Sequence, residues 1–129
     1  MERYTNDTYA KYLNSLYRFM VKEGYTSDPK PRVVIEDKPQ DEEVFISTGY
    51  YNPDDGSVHL FTYGRHIKDI LRSFAHELIH HRQDVEGRLS EGSYSGQRIV
   101  DDRKLVGLEE EAYKDGNIAF RRWTETVHG

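Results

Sequence analysis

The sequence predicts an α+β domain, and three observations carry that expectation. Apolar residues recur at helical spacing near both ends of the chain and once in its second half. Short runs rich in β-branched and aromatic residues lie between the first two helical stretches. The strongest turn signal falls between two of those runs. The order helix, strands, helix, helix fits a single domain over residues 1–129, because a chain of 129 residues can bury one core but not two.

Each element has its own justification. Tyr9, Tyr12, Leu13, Leu16, Tyr17 and Met20 share one face of a helix over about 7–23, with Asn6 or Asp7 as its cap and Gly24 as its stop. Pro29 and Pro31 open an extended segment, and Arg32–Ile35 reads as a strand. Val44–Tyr51 and Ser57–Thr62 read as two more, joined by Asn52-Pro53-Asp54-Asp55-Gly56, where Pro fixes φ and Gly accepts a positive φ. The sheet is expected to be small and mainly antiparallel. From Arg65 the period changes, and Ile67, Ile70, Leu71, Phe74, Ala75 and Leu78 line one face of a helix reaching about Glu86. Residues 87–107 read as a long loop anchored by Ile99-Val100 and Leu105-Val106. A last helix, about 108–127, carries Leu108, Ala112, Ala119, Trp123 and Val127.

Composition removes several classes of function. The chain is 36% hydrophobic and 32% charged, so its core is thin, with ten Tyr and five Phe compensating for scarce aliphatics. It contains no cysteine, which excludes disulfides, thiolate metal ligands and a cysteine nucleophile. No apolar stretch approaches the roughly 18 residues of a membrane span, and no signal peptide is visible, so the expected location is the cytoplasm. A net charge of −5 argues against nucleic-acid binding through a broad basic face. No feature sets an oligomeric state.

The chemistry is concentrated in His76-Glu77-Leu78-Ile79-His80. Residues four apart on a helix project from one face, so His76 and His80 can direct both imidazoles at a single ion. Glu77 stands beside that ion without binding it, placed to take a proton from activated water. The two histidines fall opposite the apolar stripe of their helix, which is expected to pack on the sheet and turn them toward a cleft. Two solvated histidines would be the ordinary reading of such a face. The intervening Glu and the helical setting reverse it in favour of a Zn²⁺ site.

Zinc needs a third protein ligand and an open position for water. Glu86 has the spacing of a third ligand that follows a Gly turn, but Gln83 stands where the Gly belongs. Cysteine is absent. The remaining source is Glu109-Glu110-Glu111 at the start of the last helix. Glu110 points away from the apolar face, and Glu109 and Glu111 flank it on either side. Only Glu111 has an acidic partner one turn on, Asp115, suited to accept the second N–H of a metal-bound imidazole. Glu111 is therefore the expected ligand. Glu109 and Glu110 are expected to be solvated charges that favour a helix N-terminus.

His76-Glu77-Leu78-Ile79-His80 followed by Glu111-Ala112-Tyr113-Lys114-Asp115 resembles the gluzincin pattern, HExxH and then Glu-x-x-x-Asp on a later helix. The short element order is similar to that of the minigluzincins, and His80-His81-Arg82-Gln83 with Glu110-Glu111-Ala112-Tyr113 is similar to small HExxH proteins of tailed phages. The resemblance implies a minimal zincin-like fold and a zinc metallopeptidase acting on a peptide or protein substrate, with His76, His80 and Glu111 on the metal and Glu77 as base. It further implies that the strand before the active-site helix, here Ser57–Thr62, is an edge that pairs with extended substrate. An oxyanion-stabilising Tyr, His or Arg is also implied. Tyr94, His66 and Tyr63 are the candidates, each expected to serve packing instead. The competing expectation is a zincin-fold binding or regulatory module, latent or without peptidase activity.

Two other features are set aside. Gly92-Ser93-Tyr94-Ser95-Gly96 has the outline of a nucleophile elbow but lacks the central Ser. His81 lies near the apolar side of its helix and reads as a hydrogen-bonded core histidine.

Overall fold

The computed structural model describes residues 6–39, 48–89 and 102–128. They form α1 (Asn6–Lys22), β1 (Arg32–Glu36), β2 (Gly49–Asn52), β3 (Ser57–Phe61), α2 (Ile67–Val85) and α3 (Asp102–His128). This is an α+β architecture of three helices and one small sheet. The expected beginning of the second strand at Val44, and most of the expected 87–107 loop with Tyr94, lie outside the described residues.

The sheet order is β1-β3-β2, with β1 parallel and β2 antiparallel to β3. It is therefore mixed rather than mainly antiparallel. The hairpin accounts for the antiparallel half: Gly56 at φ 70° closes it, with its N–H on Asn52 O at 2.8 Å. The parallel half follows from the long connection after Glu36, which carries the chain across to the far side before β2 begins. β3 thus occupies the centre. Ser57–Thr62 is not an edge, and β2 is the outer strand beside α2.

One face of the sheet meets the helices. Val33 and Ile35 pair in register with Val58 and Leu60, and Tyr51 also pairs with Val58. Against them pack Ile70, Phe74, Ala75 and Leu78 of α2 and Leu13, Leu16 and Met20 of α1, all buried. Trp123 of α3 donates from Nε1 to Ser15 Oγ at 3.0 Å, tying the last helix to the first. His81 is buried as expected, with Nε2 2.6 Å from Pro29 O and Nδ1 3.2 Å from Tyr51 Oη.

α3 starts six residues earlier than the sequence suggests. Gly107 looks like a boundary, yet a helix-interior Gly costs only about 1 kcal/mol relative to Ala. Packing of Leu108 and Ala112 overrides that cost. α3 runs antiparallel to α2: Gln83 meets Leu108, His76 meets Gly116, and Arg72 meets Phe120. Gly116 sets the closest approach, since a Cβ there would lie 3.1 Å from His76 Cα and 3.2 Å from His76 N.

Candidate metal centre

α2 is buried on two sides, by the sheet and by α3, and His76 and His80 lie on the α3 side. His76 and His80 are one turn apart, with ring centroids 4.9 Å apart. Their Nε2 atoms lie 3.2 and 3.3 Å from a single oxygen, Oε1 of Glu109. The imidazole of His80 is fully buried and that of His76 is 16% exposed. Among the described residues, His76, His80 and Glu109 form the group of side chains that could hold a metal ion.

The spacing suits such an ion. A tetrahedral centre with bonds of about 2.0 Å separates its ligand atoms by about 3.3 Å. The donor set, two imidazoles and a carboxylate, is one that suits zinc among other divalent metals. Burial works to raise the Glu109 carboxyl, but hydrogen bonds from His76 and His80, and their charge, outweigh it and hold the group down at about 2. Glu109 is therefore ionised across the physiological range.

The structure brings Glu109 to the histidines and does not bring Glu111. Helix geometry gives the reason. Glu109 precedes Gly116 by seven residues, two turns, and so lies within about 20° of the contact stripe. Glu111 precedes Gly116 by five residues and is turned away by about 140°. Taking the stripe from Ala112 and Ala119 alone leaves the two glutamates on equal flanks, and the decisive residue was Gly116, an isolated helix-interior Gly whose value is its missing Cβ.

Glu111 instead closes an ionic cluster. Its carboxylate accepts from Arg88 at 2.9 and 2.8 Å, from Arg82 at 2.8 Å and from Gln83 Nε2 at 3.0 Å. Asp115 does not accept from His76 or His80; Arg82 holds it at 2.9 Å. The acceptor for His80 is Gln83, fully buried, whose Oε1 lies 2.8 Å from His80 Nδ1. Gln83 also donates to Leu108 O at 3.0 Å, at the entry to the turn that carries Glu109. The residue that spoils the metal-ligand reading of Glu86 thus orients His80 and links it to Glu111. His76 Nδ1 is buried and has no hydrogen-bond partner among the described residues.

A cleft of about 390 Å³ opens beside these residues, lined by Thr48 and Gly49 of the outer strand region, by Arg72, Ser73, His76 and Glu77 of α2, and by Glu109, Tyr113 and Asn117 of α3. Glu77 thus lines the same cleft as His76 and Glu109. Arg65 fixes one wall: it donates to Thr48 O at 3.0 Å and to Ser73 Oγ at 2.9 Å. Of the expected oxyanion candidates, His66 caps α2, its Nδ1 accepting from Lys68 N at 3.0 Å. Tyr63 is exposed and does not line the cleft. Tyr113, which sequence reading passed over, has its ring centroid 4.5 Å from that of His76. It sits one turn after Glu109, a spacing that becomes visible only when Glu109 is taken as the ligand.

No helix among the described residues is long and apolar enough to cross a membrane. In comparisons with protein-family models, curated proteins and solved structures, nothing matches this chain.

Proposed function

We propose that this chain is a zinc-dependent hydrolase of peptide bonds, with His76, His80 and Glu109 as the metal ligands and Glu77 as the general base. The observation that carries the reading is the convergence of His76 Nε2 and His80 Nε2 on Glu109 Oε1, with Glu77 lining the same cleft. His76, His80 and Glu109 would hold a divalent ion, which would supply polarisation of a carbonyl and a lowered pKa of water.

The protein's own residues supply the remainder. Gln83 Oε1 accepts from His80 Nδ1, so Nε2 is the ring atom that would hold the ion, the arrangement required of a neutral imidazole ligand. Glu77 takes the proton from the attacking water and returns it to the departing amine. Tyr113, with its ring over His76 and its side chain largely exposed in the cleft, is the group available to donate a hydrogen bond to the developing oxyanion. Thr48 and Gly49 put backbone from the outer strand region into the cleft wall. An extended peptide is therefore expected to align along β2, not along the central β3.

The test is cleavage of a peptide library by zinc-loaded wild type and by Glu77→Gln. Cleavage that falls about 100-fold or more in the variant, with zinc retained, supports the assignment. Equal cleavage by the two proteins would dismiss Glu77 as base, and zinc binding with no cleavage by wild type would dismiss peptide hydrolysis.

A further inference from the structure

The cleft does not end at the metal ligands. Arg72 and Asn117 line both it and an adjoining groove of about 530 Å³, whose other residues include Phe120, Arg121 and Glu125 of α3. The two walls follow helical repeats. On α2, Arg72, His76 and His80 are spaced four apart, and on α3 so are Glu109, Tyr113, Asn117 and Arg121. Because the helices are antiparallel, both stripes run from the ligand end to a basic end. We infer that Arg72 forms a carboxylate-recognising subsite, so that the favoured substrate is a peptide bearing a carboxylate a few residues from the bond cleaved.

Arg72 is placed for that role. Its guanidinium carbon lies 5.1 Å from the Phe120 ring centroid, which fixes the planar group at the junction of cleft and groove. One donor, Nη1, meets Asp69 at 3.0 Å in an exposed pair that holds it weakly and leaves other donors of the fork to face the groove. Arg121 lies one turn beyond Asn117 and adds a second positive charge, with Glu125 a further turn away. The groove lining carries two arginines, Arg72 and Arg121, against the carboxylate of Glu125, in a chain of net charge −5.

Reach sets the position. Arg72 precedes the midpoint of His76 and His80 by six residues, about 9 Å along the helix. An extended peptide covers about 3.3–3.6 Å per residue, so the recognised carboxylate lies about two or three residues from the scissile bond. Such a carboxylate comes from an Asp or Glu side chain or from the end of the peptide. This inference rests on the peptide-hydrolysis reading above, and its test separates the two.

The experiment uses the full chain as zinc-loaded Glu77→Gln protein, so that peptides bind without turnover. Acetylated alanine hexapeptides with one Glu, their Gln twins, and C-terminal acid and amide forms are titrated by NMR. A Glu or C-terminal acid is expected to bind about tenfold tighter than its neutral twin, at one or two positions only. Arg72→Gln removes that advantage with zinc content retained, and Arg72→Lys keeps part of it. Preference for internal Glu identifies a side-chain carboxylate, and preference for the free acid identifies a chain end. Acid and neutral twins binding alike, or a preference that survives Arg72→Gln, would overturn the subsite and leave the peptide reading standing. Binding of neither twin would overturn both.

Discussion

Gly116 of α3 rests against the backbone of His76, so closely that a Cβ would come within 3.1 Å of His76 Cα. The contact fixes how far α3 stands from α2, and through two helical turns it sets Glu109 over the histidines. Gly107 in the same helix has nothing within 4 Å of where its Cβ would be. Ala at each position therefore has opposite effects. Gly107→Ala is expected to stabilise the protein by about 0.5–1 kcal/mol through helix propensity alone. Gly116→Ala is expected to lose that gain to backbone contact and to weaken zinc binding. Thermal unfolding and zinc titration of the two variants check this; matching behaviour would contradict it.

Gln83 carries a second prediction. It accepts from His80, donates to Leu108 O and donates to Glu111, all from a fully buried amide. Gln83→Leu leaves His80 Nδ1, a backbone carbonyl and a carboxylate oxygen short of partners. Zinc affinity is expected to fall about 10- to 100-fold, and stability by about 1–3 kcal/mol. Competition with a calibrated chelator and urea denaturation read the two effects.

Glu111 predicts an acid-sensitive stability that is separable from metal binding. Hydrogen bonding to Arg88, opposed by burial and reinforced by Gln83 and Arg82, holds its carboxyl at about 2 against an ordinary 4.5. A carboxyl depressed by folding contributes stability that is present above pH 4.5 and lost as pH falls toward 2. Glu111→Gln is thus expected to be less stable than wild type at pH 7, with the gap closing between pH 4.5 and 2. Denaturation at pH 7 and pH 3 measures it, and a gap independent of pH would count against the ionic cluster.

Tyr113→Phe removes a hydroxyl from the cleft while keeping the ring over His76. Under the proposed hydrolysis, kcat is expected to fall about 10- to 100-fold with KM little changed, the pattern of a group that acts on the transition state. A change confined to KM would make Tyr113 a binding residue.

How much of this was legible in the sequence depends on the kind of signal. His76, Glu77 and His80 announce themselves because one helix supplies all three at fixed spacing. The α1 and α2 cores were readable for the same reason, their periodicity being local. The carboxylate that meets them comes from another helix, so its identity depends on interhelical distance and rotation. Both follow from Gly116, which in a one-dimensional reading is only a weak point in a helix. The Glu111–Asp115 spacing gave a reasonable local argument, but four donor atoms on Arg82, Gln83 and Arg88 claim Glu111, and those partnerships span 23–29 residues of chain. The central place of β3 was hidden similarly, because strand order is set by the connection after Glu36 and not by any strand's own pattern.

The most direct measurement is zinc stoichiometry, by mass spectrometry of the intact native protein, in wild type, Glu109→Ala and Glu111→Ala. One zinc per chain is predicted for wild type and Glu111→Ala, with its loss in Glu109→Ala. Wild type without stoichiometric zinc, or zinc retained in Glu109→Ala and lost in Glu111→Ala, would contradict a centre built from His76, His80 and Glu109.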